Sequence, residues 1–168
     1  LLGKDSELAA AGRATTFQAL GGTGALKIGA DFLAQINPQA TVYISNPSWE
    51  NHRALFERAG FKVENYPYYD AATHGLDFNA MLNFFKDLAP NSIVVLHACC
   101  HNPTGVDPNM AQWEEIAQTI KERQLVPFLD IAYQGFGDGL EEDAQVVRLF
   151  AKLDIPMFIS SSFSKSFS

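Results

Sequence analysis

The sequence is poor in basic residues and has no long apolar run, and both shortages exclude classes of protein. Lys and Arg total 12 against 19 Asp and Glu in 168 residues, which gives a net charge of −7. Nucleic-acid-binding surfaces carry clustered basic residues, so we expect no nucleic-acid partner. No apolar stretch approaches the roughly 18 residues that a membrane-spanning helix needs, so we expect no membrane partner.

Cysteine is also scarce, and the two cysteines are neighbours, Cys99 and Cys100. A vicinal pair rarely has the geometry of a relaxed disulfide, so a disulfide framework of a secreted protein is not indicated. We expect both to be buried as small hydrophobic side chains in a reducing, cytoplasmic protein. The first ten residues lack a basic start followed by an apolar block, so no signal peptide is visible; a targeting sequence upstream of Leu1 would lie outside this sequence.

The segment HACCH separates His97 from His101 by four positions. On a helix this spacing suits a metal ion, but the segment follows a predicted strand. Four residues of extended chain span about 13 Å, which is too far for one ion to bridge. We therefore predict no metal site.

Hydrophobic patterning alternates between the strand period and the helix period along the whole chain. Strands are predicted at 13–20, 40–45, 62–69, 92–98, 126–133 and 156–162. Helices are predicted at 23–36, 49–60, 77–88, 109–124 and 141–153. This alternation predicts the α/β class, as a three-layer sandwich in which a mostly parallel sheet is covered by helices on both faces.

Polar groups follow the carboxyl ends of the predicted strands, where open α/β sheets bind their ligands. In chain order they are Gly22 and Thr23 in GGTG, Trp49 in NPSW, Asn102 in CCHNPTG, Asp130 and Tyr133, and finally Ser162, Ser164 and Lys165.

Three of these features each allow a plain structural interpretation beside a functional one. Glycines between a strand and a helix expose backbone N–H groups to an anion, but they also suit a simple tight turn. GGTG is not a dinucleotide fingerprint, because Lys27 occupies the place of its third glycine. Asp130 in an apolar strand needs a cation or several donors, or else it braces a loop. Lys165 would form an imine if its amine were activated, or else it is a solvated lysine.

One cofactor, pyridoxal 5′-phosphate, would use all of these groups together. Lys165 would hold its aldehyde as an imine, and Asp130 would keep its pyridine nitrogen protonated so that the ring draws electrons. Gly22, Thr23 and Ser162 would bind its phosphate. Trp49 would stack on the face of its ring. Asn102 and Tyr133 would donate hydrogen bonds to its phenolic oxygen.

Five motifs occur here in the order in which class I aminotransferases of pyridoxal-phosphate fold type I have them: GGTGAL, SNPSWENH, CCHNPTG, DIAYQGF and SFSKSFS. The sequence resembles this family over almost its whole length, and in particular the bacterial aspartate and aromatic (tyrosine) aminotransferases. The resemblance implies that Lys165 is the Schiff-base lysine and proton shuttle, and that Asp130 pairs with the pyridine nitrogen.

Further roles follow from the resemblance alone. It implies that Trp49 and Asn102 also touch the substrate carboxylate, that Ser164 lies beside the lysine, and that His52 and His97 support the ring and Asp130. The substrates would be an amino acid and a 2-oxo acid, with 2-oxoglutarate as acceptor. Phe163, Ser168 and the segment 128–144 resemble the aromatic enzymes more than the aspartate enzymes.

The resemblance also implies a domain organisation and a set of alternatives. Residues 1–168 would form part of the cofactor-binding large domain. The N-terminal segment, the C-terminal part of that domain and the small domain would be absent from this sequence. The full-length protein would be a homodimer. The alternatives are an aspartate aminotransferase proper, a β-lyase or decarboxylase on the same fold, a non-catalytic phosphate- or nucleotide-binding module, and a fragment that is inactive alone.

Overall fold

A five-stranded parallel sheet forms the centre of the structure, a computed structural model that describes residues 1–4 and 6–167. A separate two-stranded antiparallel hairpin is formed by β3 and β4. In chain order the strands are β1 (Thr41–Asn46), β2 (Lys62–Pro67), β3 (Tyr69–Asp70), β4 (Gly75–Leu76), β5 (Ile93–His97), β6 (Val126–Ile131) and β7 (Phe158–Ser161). The sheet has the order β2-β1-β5-β6-β7 and all of its pairings are parallel, which confirms the predicted sheet.

Helices cover both faces of this sheet and produce the predicted three layers. Residues of α2 and α3 pack with one set of strand side chains, and residues of α4, α5 and α6 pack with the other. The helices are α1 (Glu7–Ala10), α2 (Gly21–Ile36), α3 (Glu50–Arg58), α4 (Phe78–Asp87), α5 (Met110–Glu122) and α6 (Gln145–Lys152). Among residues 1–4 and 6–167, no helix is both long enough and apolar enough to cross a bilayer.

The central strand β5 shows why the sequence folds into this sandwich. All of its residues are buried, as expected for a strand with helices on both sides. Successive side chains of a strand point to opposite faces. Ile93 and Val95 therefore pack in the α2–α3 layer, whereas Val94 and Leu96 pack in the α4–α6 layer.

Local signals set the ends of several elements. The carboxylate of Asp77 accepts a hydrogen bond from the Ala80 N–H, so Asp77 caps α4. Asn109 and Gln112 form a reciprocal capping box at the start of α5. Pro67 is the last residue of β2, an edge strand, where its missing N–H leaves no ladder bond unmade.

Two predicted elements differ from the structure. Residues 13–20 form no strand, because neither edge strand, β2 or β7, pairs with them; Phe17 is 74% exposed. The last predicted helix begins at Gln145, so the acidic residues 141–143 precede it instead of occupying its first turn. The short helix α1 and the β3–β4 hairpin were not predicted.

A glycine in α2 determines how closely this helix approaches the sheet. A Cβ atom on Gly29 would lie 2.5 Å from Cζ and 2.8 Å from Cε1 of Phe128 on β6. The helix therefore rests directly on this ring. At its first turn, the Ser160 hydroxyl on β7 donates to the Gly22 carbonyl at 3.2 Å. These contacts fix the start of α2 at the carboxyl ends of β6 and β7.

We expect Gly29→Ala to lower the free energy of unfolding by about 1–3 kcal/mol, because the added methyl group overlaps the Phe128 ring. Helix propensity alone would change it by about 1 kcal/mol in the opposite direction. Urea unfolding followed by circular dichroism measures the difference.

The matched control is Gly24→Ala in the same helix. Its Cβ would have no atom nearer than 3.5 Å, which is an ordinary contact, so this change should stabilise the protein by about 0.5–1 kcal/mol. Equal effects of the two substitutions would contradict the proposed role of the Gly29–Phe128 contact.

Candidate active site

A cleft of about 250 Å³ opens at the carboxyl ends of the central strands. The sequence-predicted site residues line this cleft, with the exception of His52, which lies behind Asp130. The lining residues are Leu20, Gly21, Gly22, Thr23, Leu26, Trp49, His97, Asn102, Asp130, Ala132, Tyr133, Ser162, Ser164 and Lys165. The structure thus brings together groups that are as far as 145 residues apart in sequence, from Leu20 to Lys165.

The N-terminus of α2 faces the cleft and is suited to an anion. The helix begins at Gly21, which has a φ of +66°, and its N-cap residue Leu20 makes no side-chain capping bond. Its first turn contains no acidic residue. The backbone N–H groups of this turn and the helix dipole therefore favour a negative charge in the cleft.

Gly22 permits the close contact between this turn and the loop after β7. A Cβ atom on Gly22 would lie 3.2 Å from the Cβ of Ser162, so a larger side chain would separate the two segments. The Ser162 hydroxyl accepts a hydrogen bond from the Ser164 N–H at 3.2 Å, which orders the start of the loop that carries Lys165. Hydroxyl groups and backbone donors thus converge on one end of the cleft.

Asp130 also lines the cleft and is 6% exposed. Its Oδ2 is 2.8 Å from Nε2 of the fully buried His52, and Nδ1 of that ring is 2.9 Å from the Ser48 hydroxyl. When Nε2 carries the proton, His52 donates to the carboxylate and accepts from Ser48. This chain fixes the orientation of the Asp130 carboxylate, and Trp49 packs edge-on against the His52 ring at 5.4 Å.

Two further buried histidines extend this cluster: His97, which also lines the cleft, and His101. The His97 ring lies 4.9 Å from His52 and 4.4 Å from His101, whose ring stacks on Tyr68 at 3.9 Å. Burial, together with His52 and His101, holds the pKa of His97 well below its usual range. Burial, with a smaller effect of His52, lowers the pKa of His101 to about 4. Both rings are therefore neutral at pH 7.

This neutrality matters for Asp130. His97 and His101 add no positive charge beside the carboxylate at neutral pH, and within residues 1–4 and 6–167 neither ring nitrogen of His97 has a hydrogen-bond partner. A buried carboxylate is stabilised by a hydrogen-bonded cationic partner. A ligand with a protonated nitrogen at the Asp130 end and an anionic group at the α2 end would match the cleft at both ends.

The predicted distance between His97 and His101 was wrong. The strand β5 ends at His97, and Cys100 has a φ of +50°, so the chain turns back and brings the two rings to 4.4 Å. Ligand atoms of His52, His97 and Asp130 lie within 4.8 Å of one another. Chain extension therefore does not keep these ligand atoms apart, although the cluster already has a role in orienting Asp130.

The prediction for the cysteines is confirmed for one of them. Cys99 is buried, whereas Cys100 is only half-buried, and both are free thiols. Burial raises the pKa of both thiols.

Lys165 is exposed and lies with its Nζ 4.3 Å from the centre of the Tyr133 ring. The aromatic face attracts the ammonium group and holds it over the cleft. Phe163, two residues earlier, is 66% exposed. Ser168, which was used with Phe163 to separate the aromatic from the aspartate enzymes, lies outside the described residues.

Sequence reasoning missed several contributors to this site. Ser48 was missed, because its hydrogen bond to the predicted His52 depends on the chain entering α3 at Trp49. His101 and Tyr68 come from separate loops, and only the fold brings their rings together. Gly21 was not singled out, although it lies within GGTG. The structure gives it a φ of +66°, which glycine adopts readily, so glycine itself was the sequence signal for this turn.

Comparison with known proteins identifies relatives across the whole chain. The sequence family described as aminotransferase class I and II matches residues 1–168. The chain is 62% identical to an aspartate aminotransferase of Pseudomonas aeruginosa and 52% identical to an aromatic-amino-acid aminotransferase of Escherichia coli, each over 168 residues. All of this chain is covered in both cases, and it spans 42% of the length of each relative.

A solved structure agrees with these relatives. The aromatic-amino-acid aminotransferase from Burkholderia pseudomallei, covalently bound to pyridoxal phosphate, has 66% sequence identity and a TM-score of 0.98. The match covers 99% of this chain and 42% of that one.

The depressed pKa of His101 predicts a pH dependence of stability. Between about pH 6.5 and about pH 4, an unfolded chain binds a proton at this histidine that the folded chain does not bind. The free energy of unfolding should therefore fall as the pH is lowered through this window, by up to about 3 kcal/mol from this group. In His101→Gln this contribution is lost, so the fall measured by urea unfolding at several pH values should be shallower.

His97 contributes to the same fall, because burial holds its pKa well below its usual range, so the informative quantity is the difference between the slopes of the two proteins. His74→Gln, which removes a histidine in an exposed turn outside the buried cluster, is the control for the substitution itself. If His101→Gln had the wild-type slope, the folded protein would have to bind a proton at His101 as readily as the unfolded chain.

Proposed function

The chain belongs to the class I and II aminotransferase family, and we propose that it is the cofactor-binding part of an aminotransferase that uses pyridoxal 5′-phosphate. The proposed reaction moves an amino group between an aromatic or dicarboxylic L-amino acid and a 2-oxo acid, with 2-oxoglutarate as acceptor. The observation that carries this proposal is the convergence of Lys165, Asp130 and the α2 N-terminus on one cleft.

The α2 end of the cleft supports binding of the cofactor phosphate. Gly22 and Thr23 contribute the uncapped first turn of α2, and Ser162 contributes a hydroxyl beside it. A Cβ atom at position 22 would push these segments apart, so the close approach that forms this end depends on glycine. Ser164 orders the same loop through its N–H.

The opposite end supports binding of the cofactor ring. Asp130, oriented by His52, would accept a hydrogen bond from the protonated ring nitrogen, and its low exposure strengthens that interaction. Trp49 would pack on the ring face, while Asn102 and Tyr133 would bind its phenolic oxygen. His97 would support the ring and Asp130 from within the histidine cluster. Trp49 and Asn102 are also proposed to touch the substrate carboxylate.

The catalytic steps of this chain would fall to Lys165 together with Asp130 and Tyr133. When bound, pyridoxal phosphate supplies an aldehyde that the substrate amine can join and a protonated ring that withdraws electrons from the substrate Cα. Nζ of Lys165 would first hold the cofactor and, once released by the substrate, would take the proton from Cα as a general base. The Tyr133 ring beneath Nζ would keep the amine positioned over the cleft.

The substrate range and the assembly are the finer parts of the proposal. Relatives named for aspartate and for aromatic amino acids are both similar to this chain, which supports a range that includes both. From the five motifs we further propose that residues 1–168 belong to the large domain of a cytoplasmic homodimer. Because the chain spans 42% of the length of its relatives, the activity is proposed for the whole protein.

Borohydride trapping tests the covalent attachment. We expect reduction of the full-length protein with pyridoxal phosphate to fix one pyridoxyl group on Lys165, because this amine overhangs the cleft. Peptide mapping by mass spectrometry locates the adduct. In Lys165→Arg, which keeps the charge but cannot form the linkage, the adduct should be lost.

Lys27→Arg is the matched control, since Lys27 lies in α2 near the same end of the cleft but pairs with Asp31. It should leave the labelling of Lys165 intact. The alternative of a non-catalytic phosphate-binding module would be favoured by two results together. The adducts would be spread over many lysines, and Lys165→Arg would bind pyridoxal phosphate as well as the wild type does.

Asp130→Asn tests the ring-nitrogen contact. Asparagine can still accept from His52 but has no negative charge, so we expect the fold and the Lys165 adduct to persist while kcat falls by about 100-fold or more. Steady-state assays with aspartate and with phenylalanine as donors, and 2-oxoglutarate as acceptor, measure this loss and compare the two substrate classes.

Asp154→Asn removes an exposed carboxylate that pairs with Arg13 and should leave both activities unchanged. A near-normal rate in Asp130→Asn would contradict the proposed role of Asp130. Release of CO₂ or of a β-substituent, in place of a 2-oxo acid, would instead support the decarboxylase or β-lyase alternative.

A further inference from the structure

A second group of chemically reactive side chains lies next to the cleft and has no part in the proposed reaction. The sulfur atoms of Cys99 and Cys100 and a carboxylate oxygen of Asp143 all lie within 4.8 Å of one another. The cysteines follow β5, and Asp143 precedes α6, so two separate loops form this thiol–carboxylate cluster.

The backbone around the cysteines is fixed in an uncommon conformation. In a strand, neighbouring side chains point to opposite faces, so a vicinal pair would diverge. Here Cys100 has a φ of +50°, a region that non-glycine residues seldom adopt. The carboxylate of Asp107 holds this turn, because its oxygens accept from the N–H groups of Cys100 at 2.7 Å and His101 at 2.8 Å. The turn brings both thiols to the same side.

Asp143 is fixed independently by the loop after β6. Its Oδ2 accepts from the N–H groups of Gly135 at 2.8 Å and Gly137 at 3.0 Å, and its Oδ1 accepts from Asp138 at 2.9 Å. The Gly139 N–H also interacts with this carboxylate, so backbone groups of four residues hold it in place. Asp143 is buried. Only glycine fits at position 137, because a Cβ atom there would lie 2.6 Å from Oδ1 of Asp143.

Two thiols and one carboxylate in fixed positions match the ligand preferences of a soft divalent cation. Zn²⁺ and Cd²⁺ favour cysteine sulfur, and a site with three protein ligands keeps a fourth position for water. Cys100 is half-buried, which leaves a route from solvent to the sulfur atoms. Two ligand atoms that each lie about 2.0–2.3 Å from the same ion are less than 4.8 Å from each other. The three ligand atoms of this cluster already lie within 4.8 Å of one another, so they need little rearrangement to bind an ion.

We propose that Cys99, Cys100 and Asp143 bind one thiophilic divalent cation of the Zn²⁺ or Cd²⁺ type, with water as the remaining ligand. Each cysteine that coordinates releases its thiol proton to the solvent. This proposal departs from the sequence-based prediction of no metal site, which considered the histidines of HACCH and expected both cysteines to be buried as small hydrophobic side chains. It does not depend on the proposed transaminase function.

The site adjoins the cleft through one hydrogen bond. The Cys100 sulfur is a donor to the Tyr133 carbonyl at 3.9 Å, and Tyr133 carries the ring that lies beneath Lys165. Coordination removes the S–H proton and therefore this bond. A bound cation thus acts on the backbone of a residue that lines the cleft.

Cadmium binding to the full-length, chelator-treated protein tests the proposal directly. We expect one Cd²⁺ per chain by equilibrium dialysis, together with the ultraviolet charge-transfer band of thiolate-bound cadmium. The double variant Cys99→Ser/Cys100→Ser should lose the band. Asp143→Asn should weaken the affinity by about 10-fold or more.

Two further variants keep the test decisive. Cys100→Ser is a nearly isosteric change at a half-buried position, so it should retain the far-ultraviolet circular dichroism spectrum while reducing the band. Glu142→Gln removes the neighbouring exposed acid and should leave cadmium binding unchanged. Absence of the band in the parent protein, its persistence in the double cysteine variant, or unchanged affinity in Asp143→Asn would overturn the proposal.

Discussion

The 2.8 Å contact between the Asp130 carboxylate and the His52 ring is the interaction on which the arrangement of the site depends. A carboxylate on an interior strand of a parallel sheet is unfavourable unless donors surround it, and β6 has helices on both faces. The histidine that satisfies it comes from α3, and Ser48 orients that histidine from the preceding loop. The position of α3 over the sheet is thus coupled to the orientation of the Asp130 carboxylate that lines the cleft.

The part of the cleft at the start of α2 depends on two glycines that leave room for close contacts. Gly29 lets α2 rest on Phe128, and Gly22 lets its first turn meet Ser162, so the helix N-terminus reaches the strand ends. The two ends consequently carry opposite electrostatic preferences: Asp130 favours a cation, and the uncapped turn favours an anion. Because His97 and His101 are neutral at pH 7, they do not compete for the carboxylate as cations would.

Periodicity and turn chemistry were sufficient to predict most of the fold and most of the polar residues that line the cleft, whereas His97 was expected only from the family resemblance. They identify β5 by its continuous apolar run and α4 by Asp77, and parallel strands necessarily bring their carboxyl ends to one edge. They do not predict which segments pair in the sheet, because residues 13–20 have a strand-like pattern but pair with no strand. The approach of His97 to His101 depends on the positive φ of Cys100, which no local pattern reveals. The roles of the cleft residues remain predictions that this convergence supports.

The cleft and the thiol–carboxylate cluster are built from the same two connections. The loop after β5 carries both the cysteine pair and Asn102, and the loop after β6 carries Tyr133 and leads to Asp143. Asp107 fixes the first loop and Asp143 fixes the second, in each case by accepting backbone N–H groups. Any change in the charge around Asp143 or in the Cys100 hydrogen bond therefore alters the segment that positions Tyr133. Since the Tyr133 ring holds Nζ of Lys165, a cation bound outside the cleft would reach the amine through two contacts, one at the Tyr133 carbonyl and one at its ring.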